Sequence, residues 1–202
     1  MRIKMHRIIS TLTICLVVAN LAACVGINKN KQNIAIYDFG LSGSIATSPL
    51  ITSTLLIEEP IAAETLNNNK IRYRLNYDNP SRVFFYTESR WAATPLELLS
   101  GKLSMINITP KNTNCSLKFK IEAFDHVFQT TSISEGVVQL SALLIDKNTH
   151  KIITSQLITE STPSHSSNAE GGTAAIHQAS ENALKKVINW GNTMSMNSNQ
   201  CN

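Results

Sequence analysis

The chain has 202 residues, 43% of them hydrophobic, with 18 Lys and Arg, 14 Asp and Glu, and a formal charge of +4 at pH 7. Such a length suits one domain with a sizeable core and is short for two. Three of the cations, Arg2, Lys4 and Arg7, stand at the extreme N terminus; the remainder is near neutral and gives no reason to expect a nucleic-acid partner.

After this basic start comes an apolar run from Ile8 to Leu21, broken by Ser10, Thr11, Thr13 and Asn20. At about 14 residues it falls below the roughly 20 that a helix needs to cross a bilayer, and its layout is that of a secretory signal. Leu21-Ala22-Ala23-Cys24 closes the run and resembles the bacterial lipobox. The resemblance implies diacylation of the Cys24 sulfur, cleavage between Ala23 and Cys24, and acylation of the new amino terminus. Two or three acyl chains make anchoring effectively permanent. The alternatives are an ordinary signal peptide or an uncleaved anchor with a chance cysteine. Val25 stands where, in enterobacterial lipoproteins, an Asp favours the inner membrane, so the resemblance implies the periplasmic face of the outer membrane.

The boundaries that follow are a signal peptide over 1–23, the lipidated cysteine and a tether over 24–33, a domain over 34–192, and a polar tail over 193–202. The tether, VGINKNKQN from Val25 to Asn33, reaches at most about 30 Å when extended. Cys15 leaves with the signal and Cys24 takes the lipid, so Cys115 and Cys201 remain in an oxidising compartment. Either they pair, tying the tail to the domain with about 4 to 5 kcal/mol by chain entropy, or they stand as two separate thiols.

Ile34 to Phe39 alternates and reads as a first strand, stopped by Gly40; Leu50 to Ile57 reads as a second, ended by Pro60. Asn67 to Asn69 mark a turn, after which Ile71, Tyr73 and Leu75 alternate with Arg72, Arg74 and Asn76, the pattern of a strand with one wet face. Asp78-Asn79-Pro80 turns the chain into a short strand at Val83 to Tyr86. These runs read as an antiparallel set. Thr94-Pro95-Leu96-Glu97 then supplies a cap, a first-turn proline and a capping-box glutamate. Leu96, Leu99, Leu103 and Ile106 line one face of the helix that follows, and Thr109-Pro110 closes it.

In the second β group, Leu117, Phe119, Ile121 and Ala123 alternate with polar residues until the beat shifts at Phe124, which predicts a bulge near Ala123 to Phe124. Gly136 to Ile145 and Lys151 to Thr159 form a hairpin around Asp146 to Thr149. Ser161 to Gly172 reads as a mobile loop, and a helix runs from about Thr173 to Trp190, stopped by Gly191-Asn192 before a loose tail. The fold class expected is α/β: one domain, a mixed, largely antiparallel sheet with two main helices packed on it.

The segments Tyr37-Asp38-Phe39-Gly40, Ile71-Arg72-Tyr73-Arg74, Tyr86 to Leu103, Leu117 to Phe128, Val138 to Asp146 and the late helix ending in Trp190 follow one another behind the lipobox. In this order they resemble the ABC-type transport auxiliary lipoprotein family. The resemblance implies an accessory, bridging lipoprotein of an envelope system for lipids or hydrophobic solutes. Its partners would be a mammalian-cell-entry type protein and an ABC permease complex, with homo-oligomers within reach. The rival reading is a stand-alone lipid-binding or outer-membrane assembly lipoprotein, with a hydrolase a distant third.

No cofactor or metal is expected, and no catalytic residue. His126, His150, His165 and His177 show no metal-ligand spacing, and there is no nucleophile elbow or phosphate loop. His126 reads as a satisfied, partly buried side chain. Ser89-Arg90-Trp91-Ala92 puts a cation beside a large ring. Either Trp91 plugs the core while Arg90 pairs with a carboxylate, or Tyr86, Arg90 and Trp91 form a partner-binding face. Tyr37 and Trp190 read as structural.

Overall fold

The computed structural model describes residues 33–40, 52–104, 106–110 and 114–201. The signal, Cys24 and the tether up to residue 32 lie outside these residues. In chain order the elements are β1 (Ala35–Tyr37), β2 (Thr52–Ser53), β3 (Leu56–Ile57), β4 (Ile61–Ala62), a 3-10 turn (Glu64–Leu66), β5 (Lys70–Leu75) and β6 (Asn79–Trp91). There follow α1 (Pro95–Leu103), β7 (Asn107–Ile108), β8 (Cys115–Phe128), β9 (Ser134–Asp146), β10 (Ile152–Pro163) and α2 (Ala169–Met196).

The main sheet runs β1-β6-β5-β8-β9-β10, with β3 and β4 also pairing β8, while β2 and β7 pair apart. Its long ladders, β8 with β9 and β9 with β10, are antiparallel. The first β group departs from the expected antiparallel set. β1 runs parallel to β6, and β3, β4 and β5 run parallel to β8, so that only β5 with β6 is antiparallel. The run from Leu50 to Ile57 is also not one strand: the Ser53 hydroxyl donates to the Leu55 carbonyl at 2.8 Å and folds the chain between β2 and β3. The strand expected over Val83 to Tyr86 is 13 residues long, because the turn before it is tight enough to start β6 at Asn79.

The predicted bulge is present, one residue early: register shifts between Ile121 and Ala123, at Glu122. Its effect is to keep apolar residues on one face. Leu117, Phe119 and Ile121 before the shift, and Phe124, His126 and Phe128 after it, oppose Leu144, Ala142, Leu140, Val138, Gly136 and Ser134 of β9. On this face lies α2. Its buried residues, among them Thr173, Ile176, Ala179, Ser180, Ala183, Leu184, Val187 and Ile188, recur at three and four. α1 lies beside it, linked by Lys102 to Glu181 at 3.1 Å. Full burial of side chains such as Phe119, Phe124, Leu140 and Ile176 supplies about 1.5–3 kcal/mol each. From Ile34 onward the residues form one compact unit.

The capping box of α1 is formed as expected: Glu97 N donates to Thr94 Oγ1 at 3.3 Å and Thr94 N to Glu97 Oε2 at 2.8 Å. At α2 both ends correct the expectation. Ser161 to Pro163 belong to β10, and Gly171 and Gly172 lie inside the first turn of the helix, leaving only Ser164 to Asn168 as a connection. A Cβ on Gly171 would stand 2.4 Å from the Ser166 carbonyl oxygen, so glycine lets helix and turn approach this closely. Nor does Gly191-Asn192 stop the helix. Asn192 instead ties α2 to the β2 segment, accepting from Thr54 N at 3.0 Å and Thr54 Oγ1 at 2.9 Å and donating to Thr52 O at 3.0 Å.

Candidate functional site

The stretch picked out from sequence, Tyr86 to Trp91, sits where β6 bulges. Arg72 of β5 opposes Phe85 while Lys70 opposes Arg90, so β6 has several more residues than its neighbour over this interval. Arg90 Nη1 donates to two carbonyls of this stretch, Tyr86 O at 2.5 Å and Ser89 O at 2.7 Å. Where one of the two readings pairs Arg90 with a carboxylate, the described residues show it capping carbonyls. Trp91 is 1% exposed, with edge-on contacts to Phe39 at 5.9 Å and Phe124 at 5.5 Å. It plugs the core and cannot be presented to a partner, which removes it from the proposed binding face.

Tyr86 faces the other way from Phe85 and joins a cluster with Tyr73, Phe84, His126 and Phe128. The Tyr86 hydroxyl lies 2.8 Å from His126 Nδ1, and Tyr73 lies over Tyr86 with ring centroids 4.9 Å apart. His126 is fully buried, not partly. The reason is α2: a Cβ on Gly172 would fall 2.3 Å from Nδ1 and 2.6 Å from Cγ, so the ring lies directly against the helix backbone. Burial depresses the His126 pKa from 6.5 to about 4, and burial, then the Tyr73 hydroxyl, raises that of Tyr86. Both groups are therefore neutral at pH 7, a pair suited to packing and orientation. Among the described residues His126 Nε2 has no hydrogen-bond partner. Beside the pair, an open cavity of about 300 Å³ lies between β6 and the start of α2, lined by Tyr37, Tyr86, Glu88, Ser89, Asn168 and Glu170.

On the opposite face is a cluster that the local sequence pattern does not announce. Arg72, expected on a wet face, is buried together with Asp125. Arg72 Nε lies 2.8 Å from Asp125 Oδ1 and Arg74 Nε 2.6 Å from Oδ2. Arg74 also donates to Pro80 O at 3.1 Å. Burial lowers the Arg72 pKa, Asp125 opposes that shift, and the Arg74 charge adds to it. The available signal was a lone Asp in the apolar run of β8 and two arginines at alternate positions of β5.

Cys115 and Cys201 form a disulfide, with Cα atoms 5.1 Å apart and both residues buried. The polar tail is therefore fixed as far as Cys201, whose carbonyl accepts from Asn114 N at 3.3 Å. His177 stacks on Phe39 with centroids 4.5 Å apart and reaches Glu181 at 3.3 Å. Burial first, and then Lys102, lower its pKa. His150 and His165 are exposed. Tyr37 and Trp190 are half-buried against the core. Among the described residues no group of three or more His, Cys, Asp or Glu is arranged to hold a metal, and no helix is long and apolar enough to cross a membrane.

No family model matches the sequence, and a search of curated proteins gives no match. Solved structures do match. One is a Xanthomonas campestris protein of the domain family DUF330, with a TM-score of 0.63 at 18% identity over 81% of this chain and 98% of that one. A second, an uncharacterized protein, has a TM-score of 0.51 at 13% identity over 76% of this chain and 95% of that one. Both share the fold. The lipoprotein GNA1162 from Neisseria meningitidis aligns at 12% identity over 69% of this chain and 99% of that one, but its TM-score of 0.28 is too low to carry an argument.

Proposed function

We propose that the chain is an envelope lipoprotein, held by acyl chains on Cys24, that serves as an accessory and bridging component of an ABC-type transport system for lipids or hydrophobic solutes. The observation that carries the envelope half of this reading is the buried Cys115–Cys201 disulfide. Such a bond belongs to an oxidising compartment, and it leaves Cys24, directly after Leu-Ala-Ala, as the one remaining cysteine beyond the signal. The bridging half draws support from the order of segments that resembles the auxiliary lipoprotein family, spread over one compact domain. Val25 after Cys24 favours the outer membrane, facing the periplasm.

The role is docking and not turnover. The Tyr86–His126 pair is shifted so that both members stay neutral, opposite to what an activated phenol requires. Affinity capture of the tagged full chain from envelope extracts in mild detergent tests the bridging role. Recovery of a mammalian-cell-entry type protein with its permease is the expected result. Recovery of the lipoprotein alone, with lipid, would favour the stand-alone lipid-binding reading instead.

A further inference from the structure

The fold gathers six residues, four of them basic and two apolar, on the helix-free face of the sheet. Lys70, Arg72 and Arg74 alternate along β5 and share one face. Lys70 is level with Arg90, and Arg90 is level with Ile36 of β1. Phe85, level with Arg72, lies under the Lys70 ammonium, 5.1 Å from its ring centroid. Two side chains between the cations are apolar and open to solvent, Ile36 at 60% and Phe85 at 42% exposure. Asp125 pairs with the two arginines of β5, while Lys70 lies over the Phe85 ring and Arg90 caps carbonyls.

We infer that this face rests on the anionic phospholipid surface of the membrane in which Cys24 is anchored. The inference builds on the lipoprotein reading above. The occupant is indicated by where the chain comes from. The tether reaches the domain at Ile34, itself exposed, and β1 follows immediately with Ile36 in the patch. The nine residues after Cys24 reach at most about 30 Å, so this corner cannot leave the neighbourhood of the lipid. Basic heads interleaved with apolar side chains are what an interfacial surface uses: the cations meet phosphate and the apolar groups enter the boundary region. Arg72 is too buried to touch lipid and acts by holding Asp125 and Arg74 in place.

The test uses residues 24–202 carrying Cys24→Ser, which have no acyl chains, sedimented with phosphatidylcholine vesicles with or without about 30% phosphatidylglycerol. Binding to the phosphatidylglycerol vesicles is expected, weakening steeply as salt rises. The variant Lys70→Glu with Phe85→Ser should lower it at least about tenfold, since each surface cation is worth about fivefold on an anionic leaflet. Both positions are solvent-facing, and an unchanged thermal midpoint checks that the variant folds. Leu157→Ser, at an exposed residue on the far edge strand β10, should leave binding unchanged. Equal partition to both vesicle types, no binding to either, or equal losses for the two variants would overturn the inference. Fatty-acid labelling at Cys24 is read separately, so a labelled protein that ignores vesicles sinks the orientation and not the anchor.

Discussion

Lowering the pH from 7 to 5 should destabilise the domain through His126 by an amount that the structure sets. The pKa falls from 6.5 to about 4 in the fold because the ring is sealed between Tyr86 and Gly172. Between those values the unfolded chain binds a proton that the folded chain does not. Stability is thus full above about pH 6.5 and is lost progressively as pH falls towards 4. At pH 5 the loss works out to about 2 kcal/mol. Urea unfolding followed by circular dichroism at both pH values gives the difference directly. In His126→Phe the Tyr86 hydroxyl loses its partner, which costs about 1 kcal/mol at pH 7, but the fall from pH 7 to pH 5 should be smaller than in the parent by about 2 kcal/mol. Titration of His177 is common to both proteins and cancels. An identical pH dependence in parent and variant would mean that His126 takes up its proton as readily in the fold as in the unfolded chain.

Gly136→Ala should be severe. Its Cβ would stand 2.2 Å from Ile176 N and 2.3 Å from Ala175 C, which are helix backbone and cannot rotate away, so α2 must lift from the sheet at a cost above about 3 kcal/mol. Gly101→Ala in α1 meets nothing within 4 Å and should stabilise by about 0.5–1 kcal/mol; thermal melts of the pair would contradict the packing account if they ranked the other way. Cys201→Ser opens a loop spanning a sequence separation of 86 and should cost about 4 to 5 kcal/mol. Urea midpoints that do not move, with or without reductant, would contradict it.

Local chemistry was legible where one short stretch decides the outcome. Thr94 to Glu97 announce their own capping box, the shift of beat at Phe124 announces a bulge, and the hairpin of β9 and β10 turns about Asp146. What escaped was decided by partners distant in sequence. Gly191-Asn192 has the form of a helix stop, yet Asn192 is used by Thr52 and Thr54, so the helix continues to Met196. Gly171-Gly172 looked like a loop because their value lies in the close approach to Ser166 and to the His126 ring. Arg72 looked solvated because its counter-ion stands on a strand 53 residues later. Of the binding face proposed at Tyr86, Arg90 and Trp91, the half-buried Tyr86 borders the open cavity, while Trp91 serves the core. The parallel pairing of β5 with β8 left no mark on either strand alone.

Everything proposed about place and partners depends on fatty chains at Cys24. Metabolic labelling of the full chain and of Cys24→Ala with a radioactive fatty acid measures this directly. Label on the parent, recovered with the membrane fraction, and an unlabelled variant that retains residues 1–23 are the expected results. Label that persists in Cys24→Ala, or a parent that carries none and keeps its leader, would contradict anchoring at Cys24.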